Sequence, residues 1–251
     1  MEGIRDIIKE SFKDLVFNEK EHIYSVDDKP FNGSVSKLIE TFYEKFNAPK
    51  IAARTAKYRG ISTEEVLAEW TATNKEAIER GNRVHLFGEL YPFNRSLKPS
   101  CPQEEAVVKF WNELPEWIIP VGVEIKMYHK VFMFPGTADI LLFNTKNQQY
   151  IIADYKTNKD LFKNFKEKKM LGIFNQFLDN PFNHYQIQLS FYQILLEQLG
   201  IKVYKRRIIW LQLDGNYITY DTQDFTQELG QYLEIKHENK RANTKSTVSL
   251  Q

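Results

Sequence analysis

The segment Gly136 to Thr157, GTADILLFNTKNQQYIIADYKT, constrains the fold more than any other part of the chain. Two apolar runs rich in β-branched and aromatic residues flank the polar turn Thr145-Lys146-Asn147-Gln148, the pattern of a strand pair and its loop. With that turn as the hairpin loop, Asn144 pairs with Gln149, and pairing carried inward sets Asp139 opposite Asp154. Side chains alternate along a strand, so Lys156 emerges on the same face as Asp154. A slip of one residue would send the two carboxylates to opposite faces.

Ile140, Leu141, Leu142, Ile151 and Ile152 mark both strands as buried on both faces. Facing like charges in such a sheet are unfavourable by on the order of several kcal/mol unless something compensates. A divalent cation, Mg²⁺ or Mn²⁺, compensates: it accepts both carboxylates and keeps room for waters and phosphate oxygens. Lys156 beside it suits holding an attacking water and offsetting charge that grows on a phosphate. The plainer alternative is a buried Asp–Lys ion pair with the other Asp hydrogen-bonded at a strand end. D-x-K alone is a common tripeptide, and the second Asp at the facing position is what favours the metal reading.

The surrounding pattern supplies the rest of an α/β fold. Residues 15–17 and 22–26 read as a short hairpin, and Gly33-Ser34 opens a helix over 35–46. Ser62 and Glu65 have capping-box spacing and start a long helix reaching Leu90, with a break expected near Thr73. A further helix covers 104–114. Strands follow at 118–130, 136–143 and 150–156, then a helix at 184–199 with an apolar stripe of Ile187, Phe191, Ile194 and Leu195. Strands at 207–213 and 217–220, a helix at 225–237 and a polar, frayed tail complete the order. The expected divisions are a hairpin and helical region over 1–100, a core over 101–238 and a tail over 239–251.

Composition excludes several classes. One cysteine, Cys101, rules out an internal disulfide framework and a four-cysteine zinc or iron–sulfur site, and suits a reducing compartment. No apolar stretch approaches the roughly 20 residues that a membrane-spanning helix needs. The start, MEGIRDIIKESF, lacks the apolar core of a signal peptide, so a cytoplasmic setting in a bacterial or phage-infected cell is expected. Net charge is only +1. Lysines nevertheless cluster between Lys156 and Lys169, at Lys202 to Arg207 and at Lys236 to Lys245. Each cluster alone reads as a solvated face; together, near one site, they suit a phosphate backbone.

The motif order resembles the PD-(D/E)XK nuclease superfamily, and its RecB-like exonuclease branch in particular. The residues that carry the likeness are Gly81-Asn82-Arg83-Val84-His85, Gly136-Thr137-Ala138-Asp139, Asp154-Tyr155-Lys156 and Gln188-Leu189-Ser190-Phe191-Tyr192. Ser34-Val35-Ser36-Lys37-Leu38-Ile39 and the helices up to Glu89 extend it toward the mitochondrial genome maintenance exonuclease and related phage exonucleases. The likeness spans about His22 to Glu234, loosely over the first sixty residues. It implies a restriction-endonuclease-like core, a mixed central sheet flanked by helices, with a mostly helical N-terminal region. It also implies a metal bound by His85, Asp139, Asp154 and the Tyr155 carbonyl, with Lys156 catalytic. Ser34, Ser36, Lys37, Arg83, Tyr185 and Tyr192 would then face DNA. The cysteines that hold an iron–sulfur cluster in other members are absent, so no such cluster is expected.

Supporting residues carry open alternatives. A lone helical His such as His85 is ordinarily packed or exposed, and only the two acids make it a ligand; its nitrogen would tilt the preference toward Mn²⁺. Glu89, on the same helical face, reads as a salt-bridge partner more than an outer acid. Glu124, between Val123 and Ile125, needs a partner: a metal shell, the lysine, or a plain salt bridge. Gln188 suits contact with a phosphate or a bound water, and Phe42, Tyr43, Lys37, Arg54 and Lys57 suit a threaded single strand. His22, His129, His184 and His237 have no evident chemistry. The expected activity is metal-dependent hydrolysis of DNA phosphodiesters at single-stranded ends, in repair or recombination. The alternatives are an endonuclease of the same fold and a non-catalytic DNA-binding subunit.

Overall fold

The computed structural model describes residues 2–18, 21 and 23–248, and in it the two apolar runs pair as expected. Strands β5 (Pro135–Asn144) and β6 (Gln149–Lys156) are antiparallel, with Asn144 opposite Gln149 and Ile140 opposite Ala153. They form the centre of a five-stranded mixed sheet ordered β4-β5-β6-β7-β8, with β4 at Ile118–Tyr128, β7 at Val203–Leu211 and β8 at Tyr217–Asp221. Only the β6–β7 pair is parallel, and the connection between them carries helix α6 (Pro181–Glu197). The protein is therefore an α/β fold with helices on both faces of a mixed sheet.

Alternation along the central strands assigns the two faces. Leu141, Ile152 and Ile208 point into one core with Ile187, Leu189 and Phe191 of α6. That core also takes Ile8 and Phe12 from the α1 region (α1, Glu2–Ser11), Val35 from α2 (Val35–Ile39) and Leu229 from α7 (Thr226–Val248). Ile140, Leu142, Ile151, Ala153 and Ile209 point to the opposite core, with Val107, Phe110 and Trp111 of α5 (Pro102–Glu113). Val84 and Phe87 near the end of α4 (Thr63–Leu90) complete it.

Several expectations need correction at the N-terminal end. A short three-stranded sheet, β1 (Leu15–Asn18), β2 (Ile23–Val26) and β3 (Lys29–Pro30), replaces the simple hairpin; His22 lies outside the described residues. Helix α2 stops at Ile39, and a single 3₁₀ turn covers Glu40–Phe42. The Phe42 carbonyl is taken by the Leu171 N–H at 2.7 Å, so the chain leaves the helix there to meet a later loop. Helix α3 (Ala48–Arg59) was not anticipated, although its ends are marked: Asn47 accepts from the Lys50 N–H at 3.0 Å, Pro49 sits in the first turn, and Gly60 closes it at φ 68°.

The Ser62–Glu65 capping box forms, with Ser62 N–H to Glu65 at 2.8 Å and Glu65 N–H to Ser62 Oγ at 3.1 Å. The α4 helix then passes Thr73 unbroken, with the hydroxyls of Thr71 and Thr73 satisfied inside it by the carbonyls of Leu67 and Glu69. Helices α3 and α4 pack on each other through Ala52, Ala56 and Val66 and stand as an extension of the core. The last helix also runs beyond His237, through Val248, where a frayed tail was expected. No helix among the described residues is long and apolar enough to cross a membrane.

Close approach of α4 to the sheet is made at Gly88. A Cβ there would lie 2.5 Å from the Tyr155 ring, which is buried and held by a hydrogen bond from Trp111 Nε1 to its hydroxyl at 2.6 Å. Gly88→Ala is therefore expected to lower stability in urea by about 1–3 kcal/mol, an overpacking cost. A substitution that leaves the urea midpoint unmoved would show that the helix can step away from the strand freely.

Candidate functional site

The β5–β6 pairing ends at Ile140 and Ala153, and the next residues along the two strands are Asp139 and Asp154, close enough for the charge of one to act on the other. Asp139 Oδ2 accepts the Tyr155 N–H at 2.9 Å, which turns the Tyr155 carbonyl toward the same neighbouring strand. From α4, His85 Nδ1 reaches that same oxygen at 3.1 Å. Gly136, three residues before Asp139, allows α2 and α6 to approach β5 closely: a Cβ there would meet Val35 at 2.7 Å and Tyr192 at 2.9 Å. Gly81, by contrast, has only an ordinary contact to Thr157.

Asp154 is 2% exposed, and the Lys156 ammonium lies against its Oδ2. No hydrogen bond of ordinary geometry reaches that oxygen among the described residues. The same ammonium donates to Gln188 Oε1 at 3.0 Å and sits 4.1 Å from the centre of the Tyr185 ring. Gln188 is fixed in turn by donating to the Tyr192 hydroxyl at 2.9 Å, and the Tyr185 hydroxyl donates to Asn158 at 2.8 Å. Lysine, amide and ring thus form one polar chain running from β6 to α6.

Glu124 reaches the site from the edge strand β4. Its backbone has φ 47°, uncommon for a residue other than glycine and unexpected within a strand. One ligand atom each from His85, Glu124 and Asp139 lies within 4.8 Å of the others. Strain at a residue aimed into a cluster of acids and imidazole is the kind that functional sites retain.

The electrostatics record the crowding. Burial, then the Asp139 charge, pushes Asp154 up to about 6, with Lys156 only partly opposing. Glu124 rises to about 7, chiefly from burial and next from Asp139. For Asp139, burial is outweighed by the charge and hydrogen bond of His85, and its carboxyl is held low. Burial pulls His85 down, but Asp139 overrides it and raises the imidazole to about 9. Lys156 is likewise raised, since Asp154 outweighs its desolvation. One acid held low beside one pushed high is the signature of like charges sharing a site.

The donor set fits a divalent cation. The carboxylates of Glu124 and Asp139 converge with the His85 imidazole, and the buried Asp154 carboxylate acts on the same group with its charge. Glu124 lies with His85 and Asp139, and the side chain that accepts a hydrogen bond from Lys156 is Gln188. Glu89 enters neither the donor group nor any ion pair among the described residues. Tyr24 went unnoticed in the sequence: its hydroxyl is 2.7 Å from Thr137 Oγ1, and the Glu124 charge reaches it. No sequence signal marks it, whereas Asn158 sits two residues past Lys156 and was within sight.

Other expected contacts fall elsewhere. Tyr192 is buried at the α6–β5 contact with its hydroxyl taken by Gln188, so it does not face a strand of nucleic acid. Phe42 is buried against Phe174 and Tyr232, and Tyr43 stacks on His184, which pairs with Asp179. Arg83 approaches buried Glu104 at 3.5 Å. Ser34 caps α2 by accepting from the Lys37 N–H, Ser36 is exposed, and Lys37 pairs with Glu40 at 3.0 Å. The exposed aromatics of the 1–100 region are instead Phe46, Tyr58 and Phe93, among the described residues.

No known protein-family profile matches the chain, and no curated protein does. Among solved structures it is similar to the crystal structure of SSO0001, at 15% identity over 94% of this chain and 83% of that one. The TM-score is 0.36, too low for the likeness to carry an argument.

The shifts set the pH behaviour of the cation-free protein. Asp154, Glu124 and His85 all have folded values above their ordinary ones. Their contributions are full at low pH and are lost as pH rises through about 6, 7 and 9. Mn²⁺ is therefore expected to raise the Tm more at pH 8 than at pH 5, and Asp139→Asn to abolish that difference. A Tm gain that is equal at both pH values would break the link between these groups and the ion. In the cation-free Asp139→Asn protein, the His85 titration followed by NMR should fall from about 9 to below the ordinary 6.5, leaving burial as the dominant influence.

Proposed function

We propose that this protein is a divalent-cation-dependent nuclease that hydrolyses DNA phosphodiesters, built on a PD-(D/E)XK core of the RecB-like exonuclease kind. The observation that carries this reading is the proximity of Asp139 and Asp154 on neighbouring strands, with His85 against the first and the Lys156 ammonium against the second. His85, Glu124, Asp139 and Asp154 would hold the ion. When bound, it supplies Lewis acidity toward a phosphate oxygen and lowers the pKa of a water.

The chain's own groups do the positioning. Lys156 is raised above its ordinary value, so it stays an ammonium at neutral pH and donates rather than accepts. Pinned between Asp154, Gln188 and the Tyr185 ring, it presents its charge at one place, where a phosphate oxygen or the attacking water meets it. Gln188 cannot swing away, because Tyr192 holds its amide nitrogen. The sheet is covered on both faces, so charge developing in the site is stabilised in a medium of low polarity.

DNA ends are the substrate we favour, since the α3–α4 pair extends the molecule at the start of α4 and the exposed Phe46 just before α3 meets Trp70 there, an aromatic surface that suits a single strand. Single-stranded DNA labelled at either end should be cleaved with Mn²⁺ or Mg²⁺ and not with EDTA, and a closed circular strand should resist. Rapid cutting of the circle would make the activity endonucleolytic. Lys156→Ala should reduce cleavage by on the order of 10³-fold with DNA binding largely retained, the scale seen when a donor to developing charge is removed. Wild-type protein that cleaves no DNA with either metal would overturn the assignment.

A further inference from the structure

A second feature of the surface has no role in the metal site. A cavity of about 590 Å³ lies between the start of α2, the 131–134 loop before β5, and the outer part of α7. Leu233, Lys236, His237 and Arg241 line it from α7 at spacings of i, i+3, i+4 and i+8, which is one helical face. Lys37 faces them from α2, and no acidic side chain is among the lining residues. In a chain with 34 Lys and Arg against 33 Asp and Glu, such a one-signed wall is not a reflection of composition. Lys37 has Glu40 as a partner, but Lys236 and Arg241 have no acidic partner among the described residues.

The opposite wall is apolar. Val131 and Met133 are exposed there, Phe132 meets the His237 ring edge-on at 5.7 Å, and Phe134 forms the floor. The loop is held in shape by His129, whose Nδ1 accepts the N–H groups of both Val131 and Phe132 at 3.2 Å. A cationic wall facing a flat apolar one matches a ligand with an anionic and an aromatic part. The place along the sheet matters too. Phe134 is five residues before Asp139, roughly 17 Å along an extended strand, which keeps the cavity apart from the metal ligands yet within a few nucleotides of them.

We infer that this cavity binds one nucleotide unit of the DNA strand, its phosphate on Lys236 and Arg241 and its base against Phe132 and Met133, a few nucleotides from the bond to be cut. The inference rests on the nuclease reading and adds a second grip on the same strand. Two separated grips fix the strand's register over the metal site, as one alone does not.

Binding of a labelled oligo(dT) in EDTA tests it, because cleavage plays no part in that measurement. Lys236→Glu/Arg241→Glu should weaken binding at least tenfold and flatten the dependence of log K on log salt by about 0.7, the loss of the one phosphate that the two side chains share on a single strand. Lys146→Glu/Lys202→Glu changes the net charge equally at the hairpin end of the sheet and should weaken binding far less. Thymidine 5′-monophosphate should compete with the oligonucleotide on the wild type, and inorganic phosphate at the same concentration should not. The inference fails if both double variants lose affinity equally, if neither does, or if inorganic phosphate competes as well as the nucleotide. A protein that binds in this pattern yet never cleaves would leave the cavity standing and remove the nuclease assignment instead.

Discussion

The repulsion between Asp139 and Asp154 is the constraint on which the remaining structure turns. Strands buried on both faces seldom carry one acid, and here two adjacent ones do. Buried like charges survive only where the neighbourhood supplies opposite charge, and every nearby element contributes. Helix α4 brings His85, β6 adds Lys156, and α6 supplies the amide that holds the lysine in place. These partners do not complete the compensation. Asp154 is still pushed upward, and Glu124 adds a further acid, itself pushed up, on a strained backbone. What remains uncompensated is the driving force for binding a cation.

The fold gives that force a direction. Ile152, two residues before Asp154, is buried in the core on the α6 side, so packing that core also sets Asp154 toward α6, where Lys156 meets Gln188. The opposite core locks Tyr155, the residue between Asp154 and Lys156, through the Trp111 hydrogen bond and the contact with Gly88. A residue locked on one face holds its two neighbours steady on the other, so packing on the α5 side determines the position of Lys156. The α2–α7 cavity depends on the same strand, since the loop before β5 forms its apolar wall.

How much of this was readable depended on whether short-range rules set the geometry. The hairpin register was readable because a four-residue polar turn and strict alternation leave one pairing that buries the apolar residues, and the observed pairs follow it. The capping box at Ser62 was readable for the same reason. Helix α3 had its signals in Asn47, Pro49 and Gly60, but its apolar face is made of alanines, so periodicity gave little to see. The shortening of α2 was not readable, because the N–H that takes the Phe42 carbonyl comes from Leu171, far along the chain. Phe42 and Tyr192 were misjudged on the same ground: an aromatic residue looks alike in sequence whether it faces a ligand or the core. The positive φ of Glu124 follows from the β4–β5 packing and leaves no local trace.

Locating Mn²⁺ by anomalous diffraction in crystals grown with that ion tests the central claim most directly. The account predicts a peak in coordination distance of oxygens from Glu124, Asp139 and Asp154 and of a nitrogen from His85, with Lys156 remaining beside Asp154. An ion bound elsewhere, or none at saturating Mn²⁺ with the His85–Asp139 contact unchanged, would contradict it.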